Sequence, residues 1–237
     1  MEKVKAITFD FWRTLFRDNG SDERKRMRMD AAVKATGRSY EEVDPVMTSA
    51  MRAFTTIHVH EQRTLSAADA VRMLGDGLGM TIRADNAKYL AEVFATAILA
   101  HPPLPIEGAL EAVAAAAARY PIGIISDAGI SPGSVLRVLL ERNGFLPYFK
   151  TFAFSDEVGV SKPQRPMFER AAAGLGVEFA DMLHIGDLEP TDIAGALAVG
   201  ARAALFAGDN VRFLNNTKAH YTFTQWSQFR DALAVLG

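Results

Sequence analysis

Short apolar runs alternate with longer amphipathic stretches through most of the chain, and the two lengths separate strands from helices. Residues 4–9, VKAITF, are β-prone and end at Asp10, which suits a buried strand opening onto a polar loop. From about residue 16 to 101 the character shifts to Ala, Met, Arg and Glu at helical spacing. Helices are predicted over 21–35, 40–62, 67–78 and 86–100, with Ser21 or Asp22 as the first N-cap. Gly75, Gly77 and Gly79 break the third. The run His101-Pro102-Pro103-Leu104-Pro105 reads as a linker, because its prolines forbid a continuing helix. Beyond it, strands are predicted over 122–125, 151–154, 182–185, 202–206 and 221–223. Helices over 107–119, 134–142, 167–174, 191–199 and 225–235 fall between and after them, with Gly144 and Gly200 as stops.

Repeated βα units imply a parallel sheet covered by helices on both faces. The fold class is therefore α/β, a doubly wound parallel sheet built from residues 1–15 and 102–237, with a helical insertion over 16–101. In such sheets a ligand binds beyond the carboxyl ends of the strands, where the strand order switches. Asp10, Ser126, Asp127, Asp187 and Asp192 all follow predicted strands, which is where that rule expects chemistry.

Composition narrows the field. With 237 residues, 49% hydrophobic and 23% charged, the chain has material for a domain plus an insertion and is not of disordered type. Lys and Arg number 26 against 28 Asp and Glu, so the basic excess of a nucleic-acid binder is missing. The chain has no cysteine, which removes disulfides, thiolate metal sites and thiol nucleophiles, and suits a reducing compartment. Asp10 and Arg13 interrupt the apolar run near the start, so it does not read as a secretory signal. No run approaches the ~18 apolar residues that a membrane span requires. The expectation is a cytoplasmic protein, without nucleic-acid or membrane partners and with its oligomeric state open.

Four segments carry candidate chemistry, and each has a plainer alternative. Asp10, with Thr14 four residues on, offers a carboxylate nucleophile or metal ligand, or else a loop or cap residue. Gly186-Asp187-Leu188-Glu189-Pro190-Thr191-Asp192 sets two carboxylates where a strand meets a helix. They suit Mg²⁺, which keeps several waters and needs one or two protein carboxylates; the alternative is helix capping. Lys162, before Pro163, supplies a cation for a phosphate and a carboxylate, or merely a solvated surface charge. Ser126 ends a predicted strand with a hydroxyl and an N–H to offer a phosphoryl oxygen, or is an ordinary strand-end serine.

Taken in order, strand-Asp10-x-x-x-Thr14, strand-Ser126, Lys162-Pro163 and strand-Gly186-Asp187-x-x-x-x-Asp192 resemble the four motifs of the haloacid dehalogenase-like (HAD) hydrolases. The helical stretch after the first motif resembles that family's mobile cap. The resemblance implies a Rossmann-like core and a Mg²⁺-dependent phosphohydrolase that passes through an aspartyl-phosphate on Asp10. It implies Asp10, Ser126 and Lys162 as catalytic residues. The cation would be held by Asp10, the backbone carbonyl of Trp12, Asp187 and Asp192, with Asp192 alternatively orienting Lys162. Thr14, Asp127 and Arg13 would contact a small anionic substrate. The physical need is plain: an anionic nucleophile and an anionic phosphate 4 Å apart repel by ~4 kcal/mol at an effective dielectric of 20, and a divalent cation with an ammonium reverses that.

One position departs from the family. Its phosphatases carry a second Asp two residues after the nucleophile, as proton donor to the leaving oxygen. Here Trp12 stands there, and the glycine common at the next position is Arg13. Loss of a general acid costs typically ~10²–10⁴-fold. His58, His60 and Glu61 are candidate substitutes. An aromatic residue at this position resembles the 2-haloacid dehalogenases, whose halide leaves without a proton; a non-catalytic binding relative is the third reading. Gly129-x-Ser131-x-Gly133 matches a serine-hydrolase elbow, but Pro132 has no N–H for an oxyanion hole, and that reading is rejected. His184 reads as a packed strand residue. The cluster Arg24, Lys25, Arg26 and Arg28 reads as a solvated helix face, or as a guide for anions.

Overall fold

Strand Ala6–Phe9 (β1) is buried along its whole length, as a strand covered on both faces must be. The computed structural model describes residues 4–57 and 61–234. In it β1 lies inside a six-stranded parallel sheet with Ile122–Ser126 (β4), Thr151–Phe154 (β5), Met182–Gly186 (β6), Arg202–Phe206 (β7) and Tyr221–Phe223 (β8). The order is β5-β4-β1-β6-β7-β8. The chain moves one way from β1 to reach β4 and the other way to reach β6, so the switch in strand order falls at β1. Register sets Phe9 beside Ile124 on one side and Ile185 on the other. Asp10 therefore emerges level with the ends of both neighbours.

Alternation along the strands feeds two cores. Ile7, Phe9, Ile124, Ile185 and Phe206 face Ala109–Ala117 (α5), Gly133–Arg142 (α6) and Trp226–Ala232 (α10), where Leu136, Leu139, Trp226 and Phe229 meet them. Ile125, Met182, Ala203 and Leu205 face Arg165–Leu175 (α8) and Ala194–Ala198 (α9), closing over Met167, Phe168 and Ala196. A one-turn helix, Ser155–Val158 (α7), follows β5 directly.

Between β1 and α5 lie Ser21–Thr36 (α1), Tyr40–Thr56 (α2), Ala67–Gly77 (α3) and Ala84–Ala100 (α4). They share a third core of Met29, Val43, Met47, Val71, Leu74, Leu90 and Phe94. Capping boxes fix two starts, Ser39 with Glu42 and Ser66 with Asp69. The first helix differs from expectation: Gly20, at φ 77°, is its N-cap, while Ser21 already lies inside it and Asp22 and Glu23 complement its dipole. Of the helix predicted over 40–62, Tyr40–Thr56 is α-helical, Ile57 and Glu61 wind as π helix, and 58–60 lie outside the described residues. Where the chain leaves and re-enters the sheet domain, Phe16–Arg17 (β2) pairs antiparallel with Leu104–Pro105 (β3). Two-residue strands carry no period of their own, and the proline-rich run gave no hint of pairing. Among the described residues, no helix is long and apolar enough to cross a membrane.

Candidate active site

The site begins where β1 ends. Asp10 donates its N–H to the Ile185 carbonyl at 2.8 Å, extending the ladder by one bond beyond the strand. The chain then folds back tightly: the Leu15 and Phe16 N–H groups both donate to the Phe11 carbonyl, at 3.1 and 3.0 Å, and the Arg13 N–H donates to Phe16 at 2.6 Å. Arg13 adopts φ 56°, a left-handed conformation that glycine accepts more readily. Its side chain reaches Asp209 at 2.9 Å. Aromatic contacts anchor the loop from below. Phe11 stacks on Phe16 at 4.5 Å, and the Trp226 indole N–H donates to the Thr14 carbonyl at 3.2 Å. Trp12 packs edge-on against Phe11 and is half-buried.

Lys162 bridges the two ends of the constellation. Its Nζ lies 2.6 Å from Asp10 Oδ1 and 2.6 Å from Asp192 Oδ1, with all three side chains buried. Burial pulls the Lys162 ammonium towards losing its proton, but Asp10, Asp192 and Asp127 more than offset this and hold it charged. Asp127 Oδ1 accepts from the Lys162 backbone N–H at 3.0 Å. Asp192 is deeply buried, which disfavours its charge, yet Lys162 and His184 keep its carboxyl well below the ordinary range. Its second oxygen accepts from the Leu188 N–H at 3.0 Å. His184 Nε2 stands 3.1 Å from Asp192 Oδ1 while Nδ1 meets the Thr8 hydroxyl at 3.0 Å. An ionised carboxylate only accepts, so Nε2 carries the proton.

Local backbone geometry makes this approach feasible. Residues Glu189–Ile193 wind as a π turn before α9, where a regular helix over 191–199 was expected. The Asp192 and Ile193 N–H groups both donate to the Leu188 carbonyl, at 2.9 and 3.3 Å, and this wider winding accompanies the contact of Asp192 with His184 on β6. A methyl group at Gly186 would fall on the Asp192 carboxylate, so only glycine fits there.

Asp187 leaves β6 beside these groups. Asn210, from the loop after β7, donates to its Oδ2 at 2.7 Å. Burial first, then the charges of Asp192 and Asp10, raise Asp187 to about 8. Burial likewise raises Asp10 to about 6, with Lys162 opposing and Asp192 adding to the rise. Asp127 is raised to about 6 for the same leading reason. Four carboxyl groups thus crowd one ammonium at the floor of a cavity of about 460 Å³. Trp12, Arg13 and the 128–131 segment form its sides. Arg24, Arg28, Phe54, Leu65 and Ile98, from the helical insertion, roof it.

The structure thus gathers Asp10, Asp127, Lys162, Asp187 and Asp192, with Trp12 and Arg13 at the edge. Thr14 and Ser126 differ: both are fully buried and neither lines the cavity. Their hydroxyls, with that of Ser161, are buried without a hydrogen-bond partner among the described residues. Asp192 spends both oxygens on Lys162, His184 and Leu188, so it holds the lysine. Of the candidate proton donors, Glu61 is exposed and pairs with Arg63 at 3.3 Å, while His58 and His60 lie outside the described residues. Ser131 lines the cavity, but Pro132 is the N-cap of α6 and the elbow reading stays rejected. Sequence reasoning missed Asn210, which has no periodic signal, and underestimated His184, whose polar contacts depend on which strands are neighbours.

Comparison with known proteins fits this geometry. The family model of the haloacid dehalogenase-like hydrolases matches residues 4–200, and the chain belongs to that hydrolase family. Pyrimidine 5'-nucleotidase YjjG of Escherichia coli (strain K12) is 28% identical over 200 residues, covering 82% of each chain. Among solved structures, 2-haloacid dehalogenase from Pseudomonas syringae pv. Tomato DC3000 superimposes with a TM-score of 0.74 at 19% identity, over 99% of this chain and 100% of that one. The magnesium-bound HAD-hydrolase YfnB from Bacillus subtilis gives 0.66 at 14% identity, with 99% and 100% covered. At such identities these structures speak for the fold.

Proposed function

We propose that the protein is a Mg²⁺-dependent phosphohydrolase of a small phosphorylated molecule, with Asp10 as nucleophile. The carrying observation is the Lys162 bridge, which fixes Asp10 at the sheet's switch point with Asp187 beside it. Residues 16–101 act as the cap and the remainder as the catalytic core. The donor set suits a magnesium ion. Asp10 and Asp187 repel one another across a buried site, and among the described residues no group of three His, Cys, Asp or Glu side chains is placed to hold a metal. Two carboxylates with the Trp12 carbonyl leave room for the waters that Mg²⁺ keeps. When bound, the ion supplies positive charge against the phosphate.

The remaining chemistry belongs to the chain's own residues. Asp10 attacks phosphorus, the ester P–O bond breaks, and an aspartyl-phosphate forms with the alcohol as leaving group. Water then cleaves that intermediate and returns the carboxylate. Lys162 neutralises charge on Asp10 and on the phosphoryl group, while Asp192 and His184 hold the ammonium in line. Thr14 and Ser126 are fully buried and do not line the cavity, so neither carries a step here. Since Trp12 carries no acid, the leaving oxygen takes its proton from solvent, which favours esters of acidic alcohols. Similarity to a nucleotidase supports the phosphoryl reading.

Phosphate release from a panel of phosphomonoesters with Mg²⁺ tests it. Wild type should turn over esters such as p-nitrophenyl phosphate, and Asp10→Asn should lose at least ~10³-fold; equal rates in the two proteins refute the reading. The aromatic Trp12 favours one alternative, hydrolytic dehalogenation, in which Asp10 displaces halide from a 2-haloacid. Chloride release from 2-chloropropanoate without Mg²⁺ would select it.

A further inference from the structure

Four basic residues cluster on α1, but the structure separates two of them from the solvated face. Arg24 and Arg28 line the cavity roof above the carboxylate floor. Arg24 is committed: its guanidinium donates to the Asn19 carbonyl at 2.6 Å and the His101 carbonyl at 2.9 Å, and pairs with Asp18. Arg28 is not. Its Nε donates to the Phe94 carbonyl at 3.2 Å, and among the described residues it forms no ion pair. Burial first, then the neighbouring Arg24, pulls it down to about 10, with Asp18 opposing. On its other side Arg28 borders a groove lined by Met29, Met47 and Met51, which offers no anion. A partly desolvated guanidinium whose one named counter-charge, Asp18, already pairs with Arg24 is costly unless a ligand supplies another, and its planar fork matches an oxyanion.

We propose that Arg28 binds a second oxyanion of the substrate, so that the enzyme takes small molecules bearing a phosphate at one end and a carboxylate or second phosphate at the other. This rests on the phosphohydrolase reading and names the substrate class for that same site. Trp12, Leu65, Ile98 and Ile130 form an apolar belt around the cavity, suited to a short carbon chain between the charged ends. The volume, about 460 Å³, is that of a small-ligand site.

Calorimetric titration of the Mg²⁺-loaded protein with non-hydrolysable phosphonates tests this without relying on turnover. One series carries a terminal carboxylate on two- to five-carbon chains, a second carries a terminal phosphonate, and a third ends in methyl at matched lengths. At the best length, a charged terminus should tighten Kd about tenfold or more over its methyl partner. Whether the carboxylate or the phosphonate arm gains more identifies the oxyanion. In Arg28→Gln that ratio should collapse towards one, and Arg28→Lys should keep part of it. Methyl-ended phosphonates that bind with no gain from a charged terminus at any length overturn the Arg28 assignment alone. An equal gain in Arg28→Gln, its fold checked by circular dichroism, also overturns it. If no phosphonate binds, the phosphohydrolase reading fails and this inference with it.

Discussion

At the scale of single residues, Trp12 and Asp192 carry opposite lessons. On the proposed phosphohydrolase reading Trp12 stands where a proton donor would act, so its effect would lie in the transition state. If the acid is what limits turnover, Trp12→Asp should raise phosphatase kcat by roughly 10²-fold, the lower end of what a positioned general acid contributes. An unchanged rate on esters of weakly acidic alcohols would show that Trp12 is not the limit. Asp192 acts through Lys162. Removing its charge leaves Lys162 with Asp10 as its remaining close carboxylate and leaves the His184 proton facing an amide. Breaking one side of a buried ion pair costs about 3 kcal/mol or more. Asp192→Asn should therefore lower urea-unfolding stability by about that much, with activity falling alongside. Of these two, the sequence displayed the absence at residue 12 directly. The bond from Asp192 to His184 was not legible, because a histidine inside a strand gives the same apolar-run signal whether its neighbour is a leucine or a carboxylate.

At the scale of elements, the loop from Asp10 to Phe16 works as a precision mount. Its backbone is closed by its own hydrogen bonds and anchored by α10, a helix from the far end of the chain, through the Trp226 indole. Trp226 is 1% exposed and stacks on Phe206 at 4.4 Å, so its removal opens a cavity as well as freeing the loop. Trp226→Ala should destabilise by about 3–5 kcal/mol in denaturant titrations. It should also depress kcat more than a distant core truncation of equal cost, such as Leu90→Ala in the helical insertion. Equal kcat losses at matched stability would deny the loop its mounting role. The strands and most helices were legible because burial on both faces forces apolar runs and helical faces force their own spacing. The π turn at Glu189–Ile193 was not legible. Its sequence has ordinary helix-start signals, and the contacts of Asp192 with Lys162 and His184 that accompany the wider winding are set by tertiary packing.

At the scale of the whole molecule, the acidic floor should make stability depend on pH and, on the proposed Mg²⁺ reading, on cation as well. Asp10, Asp127 and Asp187 are raised above the ordinary 3.8, to about 6, about 6 and about 8. Their neutral forms are favoured in the fold. Stability is thus fully present near pH 4 and is lost as pH rises through these values. Asp192 has the opposite sign, because its depressed value supports the fold above pH ~4 and that support fades below it. In divalent-free buffer the melting temperature should fall between pH ~5 and ~8. Mg²⁺ should raise it more at pH 8 than at pH 5, since binding requires ionised carboxylates. A Mg²⁺ shift of equal size at both pH values would argue against Asp10 and Asp187 as its ligands.

The alternation of strands and helices along the chain, the ends where carboxylates emerge and the helical insertion were readable from residue order, because each depends on local periodicity and on what a parallel sheet permits. What folding alone settled is which of those polar groups touch. Lys162 joins Asp10 and Asp192, Asn210 reaches Asp187, and Arg28 faces the acidic floor from the roof of the same cavity. Contacts between residues so far apart in the chain are set by three-dimensional packing, to which local spacing is blind.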